Sequence, residues 1–471
     1  MHSLALAALL RAMLSAYVLQ TGFRALSDDD FSRVVIAQSF AAHPTLDPSG
    51  TSWLPFPFWI YGACLSVFGS SLSVARATAF LIGVLATCGV WLAGRWIGLT
   101  RGQSLLGAAL ASTLPYAAWL GVATTPDIFN AVLLVLACAS LTRKNPRIRL
   151  LGALALIAAT LSRYESWPVA VVWAGFAGLD AVRRKKWADL TLALLALAAP
   201  LAWMAHGIAH HHDALFFVKR VASYRRALGI AGGGSFVHLM TTPKHLLLDA
   251  PELWLLAALA VVTTVLRKLH PWRHRWMRPI WALLALLAFL VIGDWRDGAP
   301  THHVGRTLLP IWLFVCLVIA KPLVRIGTSP VASRGTAAAL VLGAFCLGIV
   351  LPRPDTLRVD AFCPRNEETE AGRRAAASVP REQRLAIQTS DYGYFAVQAA
   401  FGRPDDTLVF DRLDPRVPSA SDVFASPETL RQGLATARAQ WFVAPTSQEP
   451  KFPTNVRVHW RSRTVLLARI E

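Results

Sequence analysis

Long apolar stretches alternate with short polar ones from Leu4 to Val350. Each run has roughly 17 to 25 residues, enough to cross about 30 Å of hydrocarbon as a helix. The pattern predicts about eleven membrane spans, at residues 3–22, 73–94, 102–120, 127–141, 149–162, 166–182, 188–207, 252–266, 279–292, 307–320 and 335–351. Residues 1–351 are therefore predicted to form a polytopic α-helical membrane domain.

The remaining chain has a different pattern. From Arg353 to Glu471 no apolar run is long enough to span a membrane. Alternating apolar and polar positions predict short strands at 384–388 and 440–444 and within 456–470, and the spacing at 429–438 predicts a helix. We expect residues 352–471 to form a small α/β domain in water.

Charge is distributed unevenly between the predicted connections. The chain is 54% hydrophobic and 16% charged, with mean hydropathy +0.44 and a formal net charge of +19. Such a balance could indicate nucleic-acid binding in a soluble protein. Here one set of short connections carries the basic residues, which the positive-inside rule places in the cytoplasm, so we expect no nucleic-acid partner. These residues are Arg95, Arg101, Arg143, Lys144, Arg147, Arg149, Arg183, Arg184, Lys185, Lys186, Arg267, Lys268, Arg273, Arg275, Arg278, Lys321, Arg325 and Arg334.

Most acidic residues of the membrane domain lie in the opposite connections, with Asp180 and Asp189 as exceptions. The cations on this acidic face need another explanation than orientation, and a phosphate-bearing ligand provides one. An odd number of spans with a cytoplasmic N-terminus places the C-terminal domain on the acidic side too. The acids are Asp28, Asp29, Asp30, Asp47, Asp127, Glu165, Asp213, Asp249, Asp294 and Asp297; the cations are Arg33, Arg163, Lys219, Arg220, Arg225 and Arg306.

Cysteine and histidine patterns indicate neither a disulfide framework nor a zinc site. Of six cysteines, only Cys363 lies outside the apolar part, and no Cys-x-x-Cys occurs. His206 and His210 are one helical turn apart, but no acid or cysteine completes a known ligand spacing, so we assign no metal ligands. Because Arg11 interrupts the first apolar run and no small-residue cleavage site precedes Asp28, we interpret that run as an uncleaved span.

Three adjacent carboxylates, Asp28, Asp29 and Asp30, follow the first span directly. Mutual repulsion and partial desolvation can hold a proton on one of them near neutral pH, as a general base requires. The alternative is an acidic loop that supplies the N-cap of a helix over 31–41.

Three further groups of polar residues lie on the same predicted face. Asp127 opens the fourth span, where it either lines a cavity or caps the helix. Ser162 to Trp167 is a polar break in which Arg163 could grip a phosphate and Glu165 orient it, with Tyr164 between them; a satisfied Arg–Glu pair with an aromatic anchor is the alternative. His302 and His303 precede Arg306 at the start of a late span, at the depth of a lipid phosphate or as interface anchors.

Four short motifs resemble those of the GT-C superfamily of integral-membrane glycosyltransferases, which includes the aminoarabinose transferases of lipid A and the protein O-mannosyltransferases. The segment Asp29-Asp30-x-x-Arg33-x-x-x-Ala37 resembles the superfamily's first-loop pattern Asp-Glu-x-x-Tyr-x-x-x-Ala. The other three follow in order along the membrane domain: Pro55-Phe56-Pro57-Phe58-Trp59, Phe68-Gly69 with Ala75-Arg76, and Arg306-Thr307-Leu308-Leu309-Pro310.

This resemblance implies a GT-C-like membrane domain that transfers a sugar from a polyprenyl-phosphate donor to a lipid, glycan or protein acceptor outside the cytoplasm. It implies inversion by one displacement, with Asp29 as the base and Asp30 in place of the neighbouring Glu. Arg33 replaces the usual Tyr and Asp28 adds a third acid, so all three aspartates stay candidates. Arg163 and Arg306 would hold the donor phosphate within about 15 Å of Asp29, Asp127 and Glu165 would shape the site, and Mg²⁺ or Mn²⁺ could bridge phosphate and carboxylates.

A transporter or flippase of a lipid-linked saccharide is the alternative function, and a non-catalytic scaffold is a third. Transporters tend to show paired repeats and charges at the bilayer midplane, whereas here the acids lie at one rim and no paired halves are evident. The alanine- and arginine-rich composition favours a bacterial inner-membrane protein with its C-terminal domain in the periplasm. The sequence does not specify the sugar, the acceptor or the oligomeric state.

Overall fold

Helices form the chain up to Val350 in the computed structural model, which describes residues 2–185, 187–227, 236–268, 276–297, 304–327, 330–351, 363–389, 391–411 and 422–471. The helices are α1 His2–Gln20, α2 Asp28–Ala42, α3 Phe56–Phe68, α4 Leu72–Ile97, α5 Arg101–Thr113, α6 Pro115–Leu120, α7 Asp127–Ser140, α8 Pro146–Thr160, α9 Trp167–Arg184, α10 Trp187–His211, α11 Phe216–Ala227, α12 Phe236–Leu248, α13 Pro251–Leu266, α14 Met277–Asp297, α15 Leu309–Leu323 and α16 Pro330–Val350. Short 3-10 turns at Tyr164–Ser166 and Val304–Leu308 precede α9 and α15.

Six helical segments within the described residues are long and apolar enough to cross a bilayer, which makes the chain an integral membrane protein. A seventh results if α12 and α13, bent by 70° at their junction, count as one span. The predicted number of about eleven is not confirmed. The run predicted at 102–120 is divided at Leu114, since Pro115 starts a new helix. Helices α7 and α8 have 14 and 15 residues, about 21 to 23 Å at 1.5 Å per residue.

Close contacts between helices depend on glycine and on one buried arginine. A Cβ atom on Gly83 of α4 would lie 2.0 Å from the carbonyl oxygen of Gly121. Arg11, which interrupts the first apolar run, is 1% exposed and donates from Nη2 to the carbonyl of Ala118, 3.1 Å away at the end of α6. Since α6 has few residues, its last carbonyls lack helical partners, and the guanidinium satisfies one of them.

An ion-pair network explains the two acids that departed from the charge pattern. Asp180 contacts Arg149, and Arg278 donates to it from Nη1 and Nη2 at 2.6 and 2.9 Å. Asp189 lies 3.7 Å from Arg149. Both acids therefore neutralise buried or half-buried arginines of the connections that the charge pattern groups as basic.

The C-terminal part forms a mixed sheet flanked by helices. Its elements are α17 Asn366–Ser378, β1 Arg384–Ile387, α18 Tyr394–Phe401, β2 Thr407–Val409, α19 Pro427–Ala437, β3 Ala439–Pro445, β4 Val456–Arg461 and β5 Val465–Ile470. The strand order is β2-β1-β3-β5-β4, with β1 parallel to both neighbours and β5 antiparallel to both of its own. These elements confirm the strands and the helix predicted from the sequence.

The sheet domain packs directly on α2, the helix that starts with the three aspartates. Gln38 of α2 donates to the carbonyl of Ala399 in α18 at 2.9 Å, and the Ser39 hydroxyl donates to Asp405 at 2.9 Å. Small apolar residues of α18 join those of α2, α3 and α4 in one buried cluster. The start of α2 is thus held between the membrane helices and the sheet domain.

Candidate active site

Helix α2 starts at Asp28, three residues before the predicted position, with Ser27 as its extended N-cap residue. The expectation that an aspartate caps this helix is therefore wrong. All three carboxylates lie in the first turn, where the helix dipole favours negative charge. Successive positions on a helix point about 100° apart, so the three side chains face different surroundings.

Asp28 faces the sheet domain. Its two carboxylate oxygens accept hydrogen bonds from Nε and Nη2 of Arg365, both at 2.9 Å. The Cys363 thiol, whose pKa is raised to about 12 chiefly by burial, donates to Oδ1 at 3.2 Å. A carboxylate held in this bidentate manner is well suited to joining two domains.

Asp30 faces the protein interior and is 3% exposed. It accepts hydrogen bonds from the backbone N–H groups of Leu26 at 3.0 Å, Ser27 at 3.3 Å and Thr124 at 3.0 Å. Burial raises the pKa of its carboxyl to about 6, although these backbone donors oppose the rise. Asp30 fastens the start of α2 to the segment that precedes α7.

Asp29 is the most accessible of the three, with 39% of its side chain exposed. Its Oδ2 atom lies 3.8 Å from Nη1 of Arg306, in the turn that precedes α15. The predicted approach of Asp29 to Arg306 is thus far closer than the 15 Å limit. At 3.8 Å the contact is loose, so each group can take another partner.

Arg163 lies between two carboxylates at the same end of the helices. Its Nη1 donates to Asp127 at 2.6 Å, and its Nε pairs with Glu165. Burial alone would lower the pKa of Arg163, but the two carboxylates raise it above its ordinary value. The Arg–Glu pair foreseen from the sequence exists, and Asp127 extends it to a triad. Since α7 starts at Asp127 with Pro126 at the cap, Asp127 is not its N-cap residue.

Arg33 completes the cationic part of the cluster. Its guanidinium lies 4.3 Å from the ring centre of Trp53 and 5.7 Å from that of Phe58. Burial lowers its pKa to about 10, while the charges of Asp29 and Asp127 act in the opposite direction and those of Arg163 and Arg306 add to the fall. These electrostatic contacts place Arg33 among the other candidates.

Tyr164, the neighbour of Arg163 in the sequence, contacts a different part of the molecule. The Tyr164 ring stacks on Phe217 of α11 with centres 3.9 Å apart, and its hydroxyl accepts a hydrogen bond from Trp203 at 3.2 Å. Tyr164 thus docks the amphipathic helix α11. His302 and His303 lie outside the described residues.

Sequence reasoning missed several residues that position the cluster. Thr124 orients Asp30, and Arg365 anchors Asp28 from a distant part of the chain. Gly305 allows the turn beside Arg306 to approach Asp249, since a Cβ there would lie 2.1 Å from a carboxylate oxygen. None of these contacts has a local spacing that could have revealed it.

The cluster as a whole balances three carboxylates, of which Asp29 is accessible and Asp127 and Glu165 are buried, against three guanidinium groups. Asp29, Asp127 and Glu165 each have an arginine nearby, and the expectation that Mg²⁺ or Mn²⁺ binds at this cluster stays a prediction. Among the described residues, three ligand atoms converge at Asp47, His206 and His211. Chemically, the cluster offers one accessible base and cations that can exchange a carboxylate for a phosphate.

Comparisons with known proteins agree with this architecture. The sequence profile of the family described as dolichyl-phosphate-mannose-protein mannosyltransferase matches residues 43–206, which include Asp127, Arg163 and Glu165. None of the curated proteins matches the chain by sequence.

Solved structures match over almost the full length. ArnT from Cupriavidus metallidurans bound to undecaprenyl phosphate has 13% identity and a TM-score of 0.56, over 99% of this chain and 97% of that one. The oligosaccharyltransferase AglB from Archaeoglobus fulgidus, in complex with an inhibitory peptide and a dolichol-phosphate, has 14% identity and a TM-score of 0.53, over 95% of this chain and 69% of that one.

This chain has the GT-C fold. The resemblance that the short motifs indicated is thereby confirmed, as is the α-helical membrane domain with a small C-terminal sheet domain. Within the GT-C fold, the triplet of the first loop and the Arg163 triad lie on separate segments of the membrane domain.

Proposed function

We propose that this chain is a glycosyltransferase that takes a sugar from a polyprenyl-phosphate donor and transfers it to a lipid, glycan or protein acceptor outside the cytoplasm. The observation that carries the proposal is the contact between the accessible Asp29 carboxylate and Arg306, beside the Arg163 triad. A base and phosphate-binding cations at one site are what displacement at a sugar phosphate requires.

In the proposed reaction, Asp29 accepts the proton of an acceptor hydroxyl while that oxygen attacks the anomeric carbon. The bond between the anomeric carbon and the phosphate oxygen breaks, and polyprenyl phosphate leaves with the bonding electrons. Arg306 exchanges its loose contact with Asp29 for the donor phosphate, and Arg163 adds positive charge from the triad. A single displacement inverts the anomeric carbon.

The geometry favours Asp29 over its two neighbours as the base. Asp28 has both oxygens engaged by Arg365, and Asp30 is buried with its oxygens turned to backbone donors. Two relatives by fold carry polyprenyl-type phosphates in their structures, undecaprenyl phosphate in ArnT and dolichol-phosphate in AglB. We therefore infer that the donor of this chain is a sugar carried on a polyprenyl-type phosphate. A bacterial inner-membrane location with a periplasmic C-terminal domain is part of the proposal.

Asp29→Asn tests this function in the purified protein. The probes are undecaprenyl phosphate for binding and a panel of undecaprenyl-phosphate sugars for turnover, with released undecaprenyl phosphate measured by mass spectrometry. The wild type should turn over at least one donor of the panel. Asp29→Asn should lower turnover by about 10²- to 10⁴-fold, the range of general-base catalysis, while it binds undecaprenyl phosphate as the wild type does. Arg306→Gln should weaken that binding.

Asp28→Asn is the matched control, because it removes an adjacent acid whose two oxygens both accept hydrogen bonds from Arg365. It should retain turnover within about tenfold. Equal loss in both variants would contradict the assignment of Asp29. Transport of a fluorescent undecaprenyl lipid across vesicles, without any glycosidic bond formed or broken, would favour the flippase alternative.

A further inference from the structure

Two histidines at the end of α10 and one aspartate of the loop between α2 and α3 come together away from the arginine-rich cluster. Ligand atoms of Asp47, His206 and His211 all lie within 4.8 Å of one another. In the sequence His206 and His211 are more than 150 residues from Asp47, so no motif spacing indicates the group. The fold supplies the acid that the histidines lacked.

We propose that Asp47, His206 and His211 bind a zinc ion. Imidazole nitrogens and one carboxylate oxygen form a ligand set that zinc prefers, with a fourth position left for water. The Nε2 atom of His206 lies 3.7 Å from Oδ2 of Asp47. Bonds of about 2.0 to 2.1 Å in a tetrahedron give a ligand separation of roughly 3.4 Å. This pair would therefore close by a few tenths of an ångström, and the widest separation in the group, which is within 4.8 Å, by no more than about 1.4 Å.

The group is half-buried, and one of its polar atoms lacks a hydrogen-bond partner. The side chains of His206 and Asp47 are 12% and 11% exposed. Within the described part of the chain, Nε2 of His206 is buried and makes no hydrogen bond. A buried polar atom without a partner is costly, and coordination of a cation would satisfy it.

Neighbouring groups hold the three ligands in orientation. The Oδ1 atom of Asp47 accepts hydrogen bonds from the backbone N–H groups of Ser49 at 3.2 Å and Gly50 at 3.1 Å, which leaves Oδ2 for the ion. The His206 ring stacks on Trp203 at 4.8 Å, and the His211 ring stacks on Phe216 at 4.0 Å. Such supporting contacts orient metal ligands and raise affinity.

Solvent can supply the fourth ligand. A groove of about 600 Å³ lies beside the group and is lined by His211, His212, Asp213, Phe216, Lys219 and Arg220. The ion would thus be fixed by protein on one side and open to water on the other.

The proposed ion would fasten the loop that carries Trp53 to the ends of α10 and α11. The Ser49 hydroxyl donates to the carbonyl of Trp53 at 3.0 Å, and the Trp53 ring lies beneath Arg33. Arg220 of α11 donates to the carbonyl of Gly50 at 3.3 Å. Zinc would therefore act as a clamp on the wall of the arginine-rich cluster. Its role does not depend on the identity of the sugar donor.

Zinc content and cobalt spectra test this site without any enzyme assay. The full chain is purified with a histidine-free tag, stripped with a chelator, and equilibrated with Zn²⁺ against a competing chelator. We expect about one zinc per chain by elemental mass spectrometry and the visible absorption of tetrahedral Co²⁺ when cobalt replaces zinc. Zinc should also raise the temperature of unfolding, because it binds the folded state.

Asp47→Asn and His206→Gln should weaken zinc binding by at least about 10- to 100-fold, the loss typical even of supporting contacts, and abolish the cobalt bands. Asn keeps the Oδ1 acceptor of the loop, so Asp47→Asn should stay folded, which its unfolding transition without metal checks. His210→Gln is the matched control on the same helix end and should bind zinc as the wild type does. A wild type that binds no more zinc than His206→Gln, or equal loss in His210→Gln, would overturn the proposal.

Discussion

Three adjacent aspartates acquire three different roles through the direction in which each side chain points. Asp28 binds an arginine of the sheet domain, Asp29 is partly exposed beside Arg306, and Asp30 is buried against backbone donors. Their intrinsic chemistry is the same, so burial and partners alone distinguish them. The sequence could not choose among them, because three partners that distinguish them, Arg365, Arg306 and Thr124, come from segments distant along the chain.

The buried Asp30 should make stability depend on pH in a specific direction. Its folded-state pKa of about 6 is above the ordinary 3.8, so the folded state binds the proton more tightly than the unfolded state does. The contribution of Asp30 to the free energy of unfolding is therefore greatest below about pH 4 and is lost as the pH rises through about 6. The total loss is at most about 3 kcal/mol. Asp30→Asn removes this titration.

The measurement is the free energy of unfolding of wild type and Asp30→Asn, by chemical denaturation in detergent at pH 4.5 and pH 7. The stability of the variant relative to wild type should rise between the two values. A relative stability that falls with pH would mean that the backbone donors outweigh burial, and one that stays constant would mean that the two effects cancel.

At the scale of the element, glycines set how closely helices approach. Gly83 in the middle of α4 lies against the carbonyl of Gly121, whereas Gly175 in α9 has open space where a Cβ would be. Helix propensity alone favours alanine at both positions. At Gly83 the close contact with Gly121 makes glycine the better residue.

Gly83→Ala should therefore destabilise the protein by about 1–3 kcal/mol, the usual cost of overpacking. Gly175→Ala is its matched control and should be neutral or stabilising by up to about 1 kcal/mol. Thermal unfolding of the two variants in the same detergent provides the comparison. Similar unfolding temperatures for both would show that α4 and α6 can separate without cost.

At the scale of the whole molecule, α2 joins the membrane helices to the sheet domain. Asp28 and Arg365 form a two-point ion pair across this boundary, and Gln38 and Ser39 add hydrogen bonds. Since the same helix carries Asp29, the position of the sheet domain helps to fix that of the proposed base. The domain is thus coupled to the site without contributing a residue that contacts Arg306 in the described part of the chain.

Arg365→Gln should loosen this boundary. We expect faster hydrogen exchange in Asp28–Ala42 and Tyr394–Phe401, and a double-mutant cycle with Asp28→Asn should give a coupling of about 1.5–3 kcal/mol, as for hydrogen bonds to charged groups. Arg374→Gln removes an exposed pair with Glu370 and serves as the control. Unchanged exchange in Arg365→Gln would argue against the pair as a connector.

The sequence by itself determined the elements and the side of the molecule on which the acids gather. Apolar run length predicted membrane helices, alternation predicted the strands of the C-terminal domain, and short motifs indicated the GT-C fold, because these signals are local. Its number of about eleven spans is not confirmed, since run length does not show where Pro115 divides a helix or where a helix is short. Only the tertiary structure decided which partners meet: Asp29 with Arg306, Asp28 with Arg365, and Asp47 with His206. Contacts between distant segments depend on how the helices pack, and no spacing along the chain records that packing.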